Sequence, residues 1–293
     1  MLGDILKSFL MGFVDLLRLP WHIFRWLQLE TLKERMSSLM LAGYSSEFLC
    51  LVLALMTVIL VVGLFRHSFL RRTVNGLELF NGRIGQFACW FALIMMIQQV
   101  LIIVMGQIFR GNELVLSPFG LVFSAGELQW LSGQLKLYNA ILIALAAAYT
   151  FIEGGHVRVD LIYARLPYRK RKIFDLVGTL IFFFPSSILL WWFAWPLAMN
   201  SMFSQRPLNV WSTKASWRGF KWESSGTAEF TWVWAFKLLI LFFAALLVIQ
   251  AFTFLLRNVM ALRETEEIET HPRLDRGEET LPTAADANAA EST

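Results

Sequence analysis

From Phe48 to Phe65 the chain runs for 18 residues with nothing more polar than Thr57 and Gly63. A helix that crosses a bilayer needs roughly 20 mainly apolar residues, each rising 1.5 Å. Four further stretches fit the same requirement. Gly85 to Ile108 carries Gln98, Gln99 and Gln107, and Leu131 to Ile152 ends in the small-residue run Ala146-Ala147-Ala148. Leu176 to Met199 holds Phe182-Phe183-Phe184-Pro185 at its centre, and Phe230 to Leu256 is almost purely apolar apart from Lys237 and Gln250. In hydrocarbon each backbone N–H and C=O must find its partner within the protein, so such segments are helices. The fold class that follows is an all-α integral membrane protein. It has a four-helix transmembrane core, preceded by an additional N-terminal hydrophobic helix and an interfacial amphipathic helix.

Composition agrees. Charged residues are 16% and hydrophobic residues 57%, with a mean hydropathy of +0.56, whereas a soluble domain carries about 25% charged residues. The formal charge of +4 would suggest nucleic acid in a soluble protein. Here the basic residues are divided among membrane loops, where Lys and Arg mark the cytoplasmic side. Arg158, Arg165, Arg169, Lys170, Arg171 and Lys172 fall within 15 residues between the third and fourth core-spanning stretches counted from Phe48. Placing that loop inside also places Arg66, Arg71, Arg72, Arg83, Arg257 and Arg263 inside. Arg110, Arg206, Lys214, Arg218 and Lys221 then lie outside, a bias of twelve to five. Nine of the 12 tryptophans fall at or beyond the outer boundary, where the amphipathic indole prefers to sit. The connector from Asn200 to Glu229 therefore reads as a Trp-rich outer cap.

Before the first span, Leu2, Ile5, Leu6, Phe9, Leu10, Phe13, Leu16 and Leu17 recur at helical spacing. This reads as an amphipathic helix in the interface, ending near Pro20, with room for a second around Trp21 to Met40. If Phe48 to Phe65 spans, these residues lie outside and their five Lys/Arg oppose the charge rule. If it does not span, they lie inside and the apolar run must be buried another way. Spanning is the favoured reading, because Asp4, Asp15, Glu30 and Glu34 offset the charge. Asp4, Lys7 and Asp15 also interrupt any signal-peptide core. From Glu264 onward the chain is rich in Glu, Asp, Ala and Thr, and reads as an acidic disordered cytoplasmic tail. The expected organisation is residues 1–45 as the amphipathic extension, 46–81 as the extra hydrophobic helix and a basic loop, 82–260 as the four-helix domain, and 261–293 as the tail.

Residues with chemical potential are few. His22, His67, His156 and His271 all lie away from the centres of spans, which disfavours haem held between facing histidines. Cys50 and Cys89 stand alone and read as small apolar side chains. No catalytic motif or paired intramembrane carboxylate is evident, so no enzyme, cofactor site or metal site is expected in this chain. Lys136 and Lys237 are the ionisable residues within the spans. Both lie in the outer half, where they can snorkel to the headgroups or meet a neighbouring subunit. Gln98 and Gln99 are more central and suit interhelical hydrogen bonds. The stretch Glu153-Gly154-Gly155-His156-Val157-Arg158-Val159-Asp160 ends a span and can lie along the cytoplasmic interface. There its hydrated side would hold His156, Arg158 and Asp160, with membrane lipids as one partner.

That last stretch carries a resemblance. Gly-Gly-His-Val-Arg-Val-Asp at Gly154 to Asp160, directly after Ala146-Ala147-Ala148-Tyr149, resembles the small membrane subunit of tripartite ATP-independent periplasmic (TRAP) transporters. Arg83-Ile84-Gly85 and Gln107-Ile108-Phe109-Arg110 at the ends of one span support it. So do Glu127-Leu128, Trp222-Glu223-Ser224-Ser225, Lys237 and Gln250, and the likeness runs from about Gly82 to Arg257. The N-terminal extension and the long outer loop depart from the family pattern.

The resemblance implies a subunit that braces a large permease subunit in a bacterial inner membrane. The large subunit is expected to carry the sodium and organic-acid sites, while a periplasmic substrate-binding protein docks outside. Glu153, Gly154, Gly155, His156, Arg158 and Asp160 would form a subunit or lipid interface. Glu127, Lys136, Lys237, Gln250, Gln98 and Gln99 are the candidate partner contacts. Two other readings remain open from the residues alone: the membrane anchor of a redox complex, and a non-transporting assembly factor.

Overall fold

The computed structural model describes residues 2–28, 31–110, 113–116, 123–152, 168–204, 208–209, 211–226 and 230–263. Three short helices open the chain: α1 (Leu2–Leu17), α2 (Leu19–Leu27) and α3 (Leu32–Ala42). Pro20 lies in the first turn of α2, where its missing N–H costs nothing. The second helix expected around Trp21 to Met40 is thus two helices with a break between them. Thr31 caps α3 by accepting from the Glu34 N–H, and Arg35 donates to the Leu27 carbonyl at the end of α2 at 2.6 Å. The Leu27 carbonyl, at a helix end without an intrahelical partner, is satisfied in this way.

The long helices follow. α4 (Ser46–Phe65) starts where Ser45 accepts from the Phe48 N–H at 3.1 Å. After Arg66 alone, α5 (His67–Ile103) begins and continues as a π-helical turn, Val104–Ile108. A two-stranded antiparallel ribbon, β1 (Glu113–Leu116) with β2 (Phe123–Glu127), precedes α6 (Leu128–Ile152). α7 (Tyr168–Gly178) runs through a second π-helical turn, Thr179–Phe183, into α8 (Phe184–Met202). Pro185 at the start of α8 cannot donate to a helical carbonyl, which fits the altered turn just before it. The last helix is α9 (Val233–Arg263).

Four of these helices are long and apolar enough to cross a membrane: Ser46–Phe65, His67–Ile108, Arg169–Met202 and Val233–Arg263. α6, with 25 residues, would measure about 37 Å and packs against α5 and α9. Apart from the ribbon, the described chain is helical with irregular links. Among the described residues α9 is the central element, contacting α5, α6, α7 and α8.

One departure from the sequence reading stands out at residues 66–81. They are not a basic loop, since α5 is helical from His67. Leu70, Val74 and Leu77 form a stripe at helical spacing that packs on Phe252, Leu256 and Met260 of α9. Arg71 and Arg72 occupy the exposed side. The loop was expected because charge density was weighed and this periodicity was not.

At the other end of the bundle, the N-terminal extension and the cap form one layer. Met40 and Tyr44 are buried together with Ala194, Ala198, Met199, Phe203, Leu208 and Leu241. The Trp191 and Trp195 indoles donate to the carbonyls of Gly43 and Met40, at 2.7 and 2.9 Å. Ser37 accepts from the Trp217 N–H at 3.1 Å, and the Tyr44 hydroxyl donates to the Ser212 carbonyl at 2.7 Å. Burial pushes the Tyr44 hydroxyl pKa upward. α1 packs against α4 so closely at Gly12 that a Cβ there would lie 2.6 Å from the Cys50 carbonyl oxygen.

Candidate functional site

The polar residues singled out in the spans are distributed over the bundle and do not converge on one pocket. Gln250 of α9 is 1% exposed and Asn81 of α5 is 0% exposed. The Asn81 amide donates to Gln250 Oε1 at 2.7 Å, so Gln250 serves an interior contact between helices. Asn81 Oδ1 is buried without a hydrogen-bond partner among the described residues. Nearby, Arg257 of α9 meets Glu78 of α5 at 3.4 Å, and Arg263 donates to the Leu64 carbonyl at 2.5 Å. These contacts join the last helix to the N-terminal helices away from the cap.

Gln98 donates to the Leu131 carbonyl at 2.9 Å, linking α5 to the start of α6. Gln134 lies 3.4 Å from the Gln98 amide and itself donates to the Tyr138 hydroxyl at 2.7 Å. α6 is also approached closely at two other points. A Cβ on Gly85 would fall 2.2 Å from the Tyr149 Cβ, and one on Gly133 would fall 2.6 Å from Phe230. Gln99, by contrast, is exposed on α5, as are Met96, Ile97, Val100 and Ile103. Lys136 is exposed on α6. Glu127 ends β2, where its backbone pairs with Glu113. Glu153, Gly154, Gly155, His156, Arg158 and Asp160 lie outside the described residues.

Lys237 has a definite partner on the cap. Its ammonium group donates to Glu223 Oε2 at 2.5 Å. This contact with Lys237 holds the Glu223 carboxyl below its ordinary pKa. The Glu223 N–H also donates to the Ser201 carbonyl at 3.0 Å. Trp222 beside it has φ +46°, an uncommon backbone conformation for a bulky residue. Its ring stacks on Phe220 with centroids 5.6 Å apart and meets Trp234 edge-on at 4.9 Å. The Lys237 side chain therefore does reach toward the cap, and its reach ends on a fixed carboxylate. Glu223 stood in the motif carried by the resemblance, but sequence spacing did not identify it as the partner of Lys237.

Glu78, Asn81 and Gln134 were also missed as partners. The detectable signal was the placement of Asn81 on the Leu70–Val74–Leu77 stripe, a polar residue where the helix turns inward. Among the described residues no three His, Cys, Asp or Glu side chains gather as a metal site. The polar contacts in this bundle join helix to helix, and the arrangement defines a multi-span helical membrane protein.

Residues 121–261 match the family described as tripartite ATP-independent periplasmic transporters, DctQ component. The match identifies a small TRAP-transporter component within these residues. The family is one of transporter components, and it associates in general with a large permease subunit and a substrate-binding protein. Glu127, Trp222, Glu223, Lys237 and Gln250 lie within the match. Arg83 to Gly85 and Gln107 to Arg110, also read as part of the resemblance, lie before it. Neither the curated proteins nor the solved structures contain a match to the chain.

Proposed function

We propose that this subunit braces the large permease of a sodium-coupled organic-acid transporter in a bacterial inner membrane and helps dock the periplasmic substrate-binding protein. The bracing role rests chiefly on the cross-ties of α9. Lys237 meets Glu223 near the cap, while Gln250 and Arg257 engage Asn81 and Glu78 farther along. Helices tied at separated levels resist sliding past one another, a useful property for a support beside a moving partner. The exposed face of α5 suits contact with the large subunit. An amide at Gln99 facing hydrocarbon would leave its hydrogen-bonding capacity unmet, and a neighbouring protein helix can meet it.

Substrate and sodium recognition then belong to the large subunit, with no cofactor held in this chain. The cap, with exposed Trp211, Trp222 and Trp232, offers an aromatic surface to the binding protein. Glu153 to Asp160, and Arg158 in particular, anchor the opposite end to the large subunit or to anionic lipid.

Deletion of this subunit should abolish sodium-dependent organic-acid accumulation in membrane vesicles that retain the other two components. Uptake that persists at the normal rate would sink the transporter assignment. Arg158→Glu should lower recovery of the assembled complex with little effect on insertion of the chain. Normal assembly and normal uptake in that variant would remove any special role for the motif.

A further inference from the structure

A cavity of about 190 Å³ lies between α4, α8 and α9. Its cap-side end is formed by Tyr44, Ser45 and Trp192, and its far end by Met56, Phe184 and Ile249. From Ser45 to Met56 the helical rise is about 16 Å. One leaflet of a hydrocarbon core about 30 Å thick has nearly the same depth. The cavity thus runs from the headgroup level on the cap side to about the middle of the membrane.

Its walls are almost entirely apolar and it is open on one side. The principal neighbours of α4 are α1 and α5, so this gap separates α4 from much of the α8–α9 pair. Water does not fill a dry apolar space of this kind, and an empty gap would lose dispersion contacts along all three helices.

We infer that the cavity between α4, α8 and α9 is a seat for one acyl chain of a cap-side-leaflet phospholipid. Leaflet depth and apolar walls are together what a phospholipid acyl chain requires. A side chain from a partner helix could fill part of the volume, but it would not extend along the groove from the interface to the midplane. The seated chain acts as packing material, coupling the N-terminal hydrophobic helix to the family-matched bundle. The inference depends on membrane insertion alone and is independent of which substrate is transported.

The test uses the full-length chain in nanodiscs of phosphatidylethanolamine and phosphatidylglycerol containing a phosphatidylglycerol with a photoreactive acyl chain. Adducts are mapped by peptide mass spectrometry. In the native sequence, labelling of groove residues such as Val52 and Val248 should exceed that of the exposed α5 face around Ile97 and Val100. Ala245→Phe fills the groove from α9 and Val52→Phe fills it from α4. Either change should remove the groove adducts while leaving those on α5. Circular dichroism and monodispersity confirm that the variants are folded. Groove labelling no greater than that of α5, or unchanged in both filling variants, would overturn the inference. So would its disappearance when the large permease is assembled alongside, because a protein segment would then own the site.

Discussion

The Trp195 ring lies over Gly43 so closely that a Cβ at residue 43 would fall 2.0 Å from it. The same indole donates to the Met40 carbonyl, so the end of α3 is both overlaid and hydrogen-bonded by α8. This contact joins the N-terminal extension to the bundle. Gly43→Ala should displace the ring and destabilise the protein by about 1–3 kcal/mol, the usual cost of overpacking. The change is read as a lowered Tm in detergent and faster tryptic cleavage at Arg35. An unchanged Tm and cleavage rate would show that the extension is not held there.

The joining of α3 to the cap also fixes which ends of the bundle lie together. In a background with Cys50 and Cys89 replaced by serine, Lys33→Cys and Lys214→Cys should react with a membrane-impermeant maleimide from the same side. Arg72→Cys should react only from the other. All three positions are exposed. If Lys33→Cys behaved like Arg72→Cys, α4 would not cross the membrane.

Glu223 predicts a pH dependence. Its folded-state pKa is depressed, mainly by its hydrogen bond to Lys237. Its stabilising contribution is therefore present above the unfolded carboxyl value of 4.5 and is lost as pH falls through the lower folded value. Tm should decline across that acidic window, and Glu223→Gln should flatten the decline. Parallel pH profiles for the two proteins would count against the pairing.

Asn81 and Gln250 can be separated by a double-mutant cycle. Gln250→Leu alone strands the Asn81 amide in the interior, at a cost of about 1–3 kcal/mol. Adding Asn81→Leu should restore part of that loss, giving a coupling of about 0.6 kcal/mol or more. Additive losses in a denaturant titration would mean that the bond contributes nothing.

Several features were legible in the sequence because they depend on composition along a single helix. The apolar run Phe48–Phe65 reappears inside α4, and Leu131–Ile152 inside α6. Gln98 was expected to bond between helices and does so. Gln99, one residue later and expected to do the same, faces outward, because a step of one residue turns a helix by about 100°. The amphipathic start of α5 was present in the Leu70–Val74–Leu77 spacing but was obscured by Arg66, Arg71 and Arg72.

What the sequence determined by itself was the membrane as solvent, the helical class and the family. Long apolar runs have no other stable arrangement in hydrocarbon, and the motif residues are local. Only the tertiary structure decided which polar groups meet: Lys237 with Glu223, Gln250 with Asn81, and the extension with the cap. Asn81 and Gln250 are 169 residues apart, and no local periodicity specifies such a pairing. It is set by the rotation and depth at which whole helices pack, and that depends on all their contacts together.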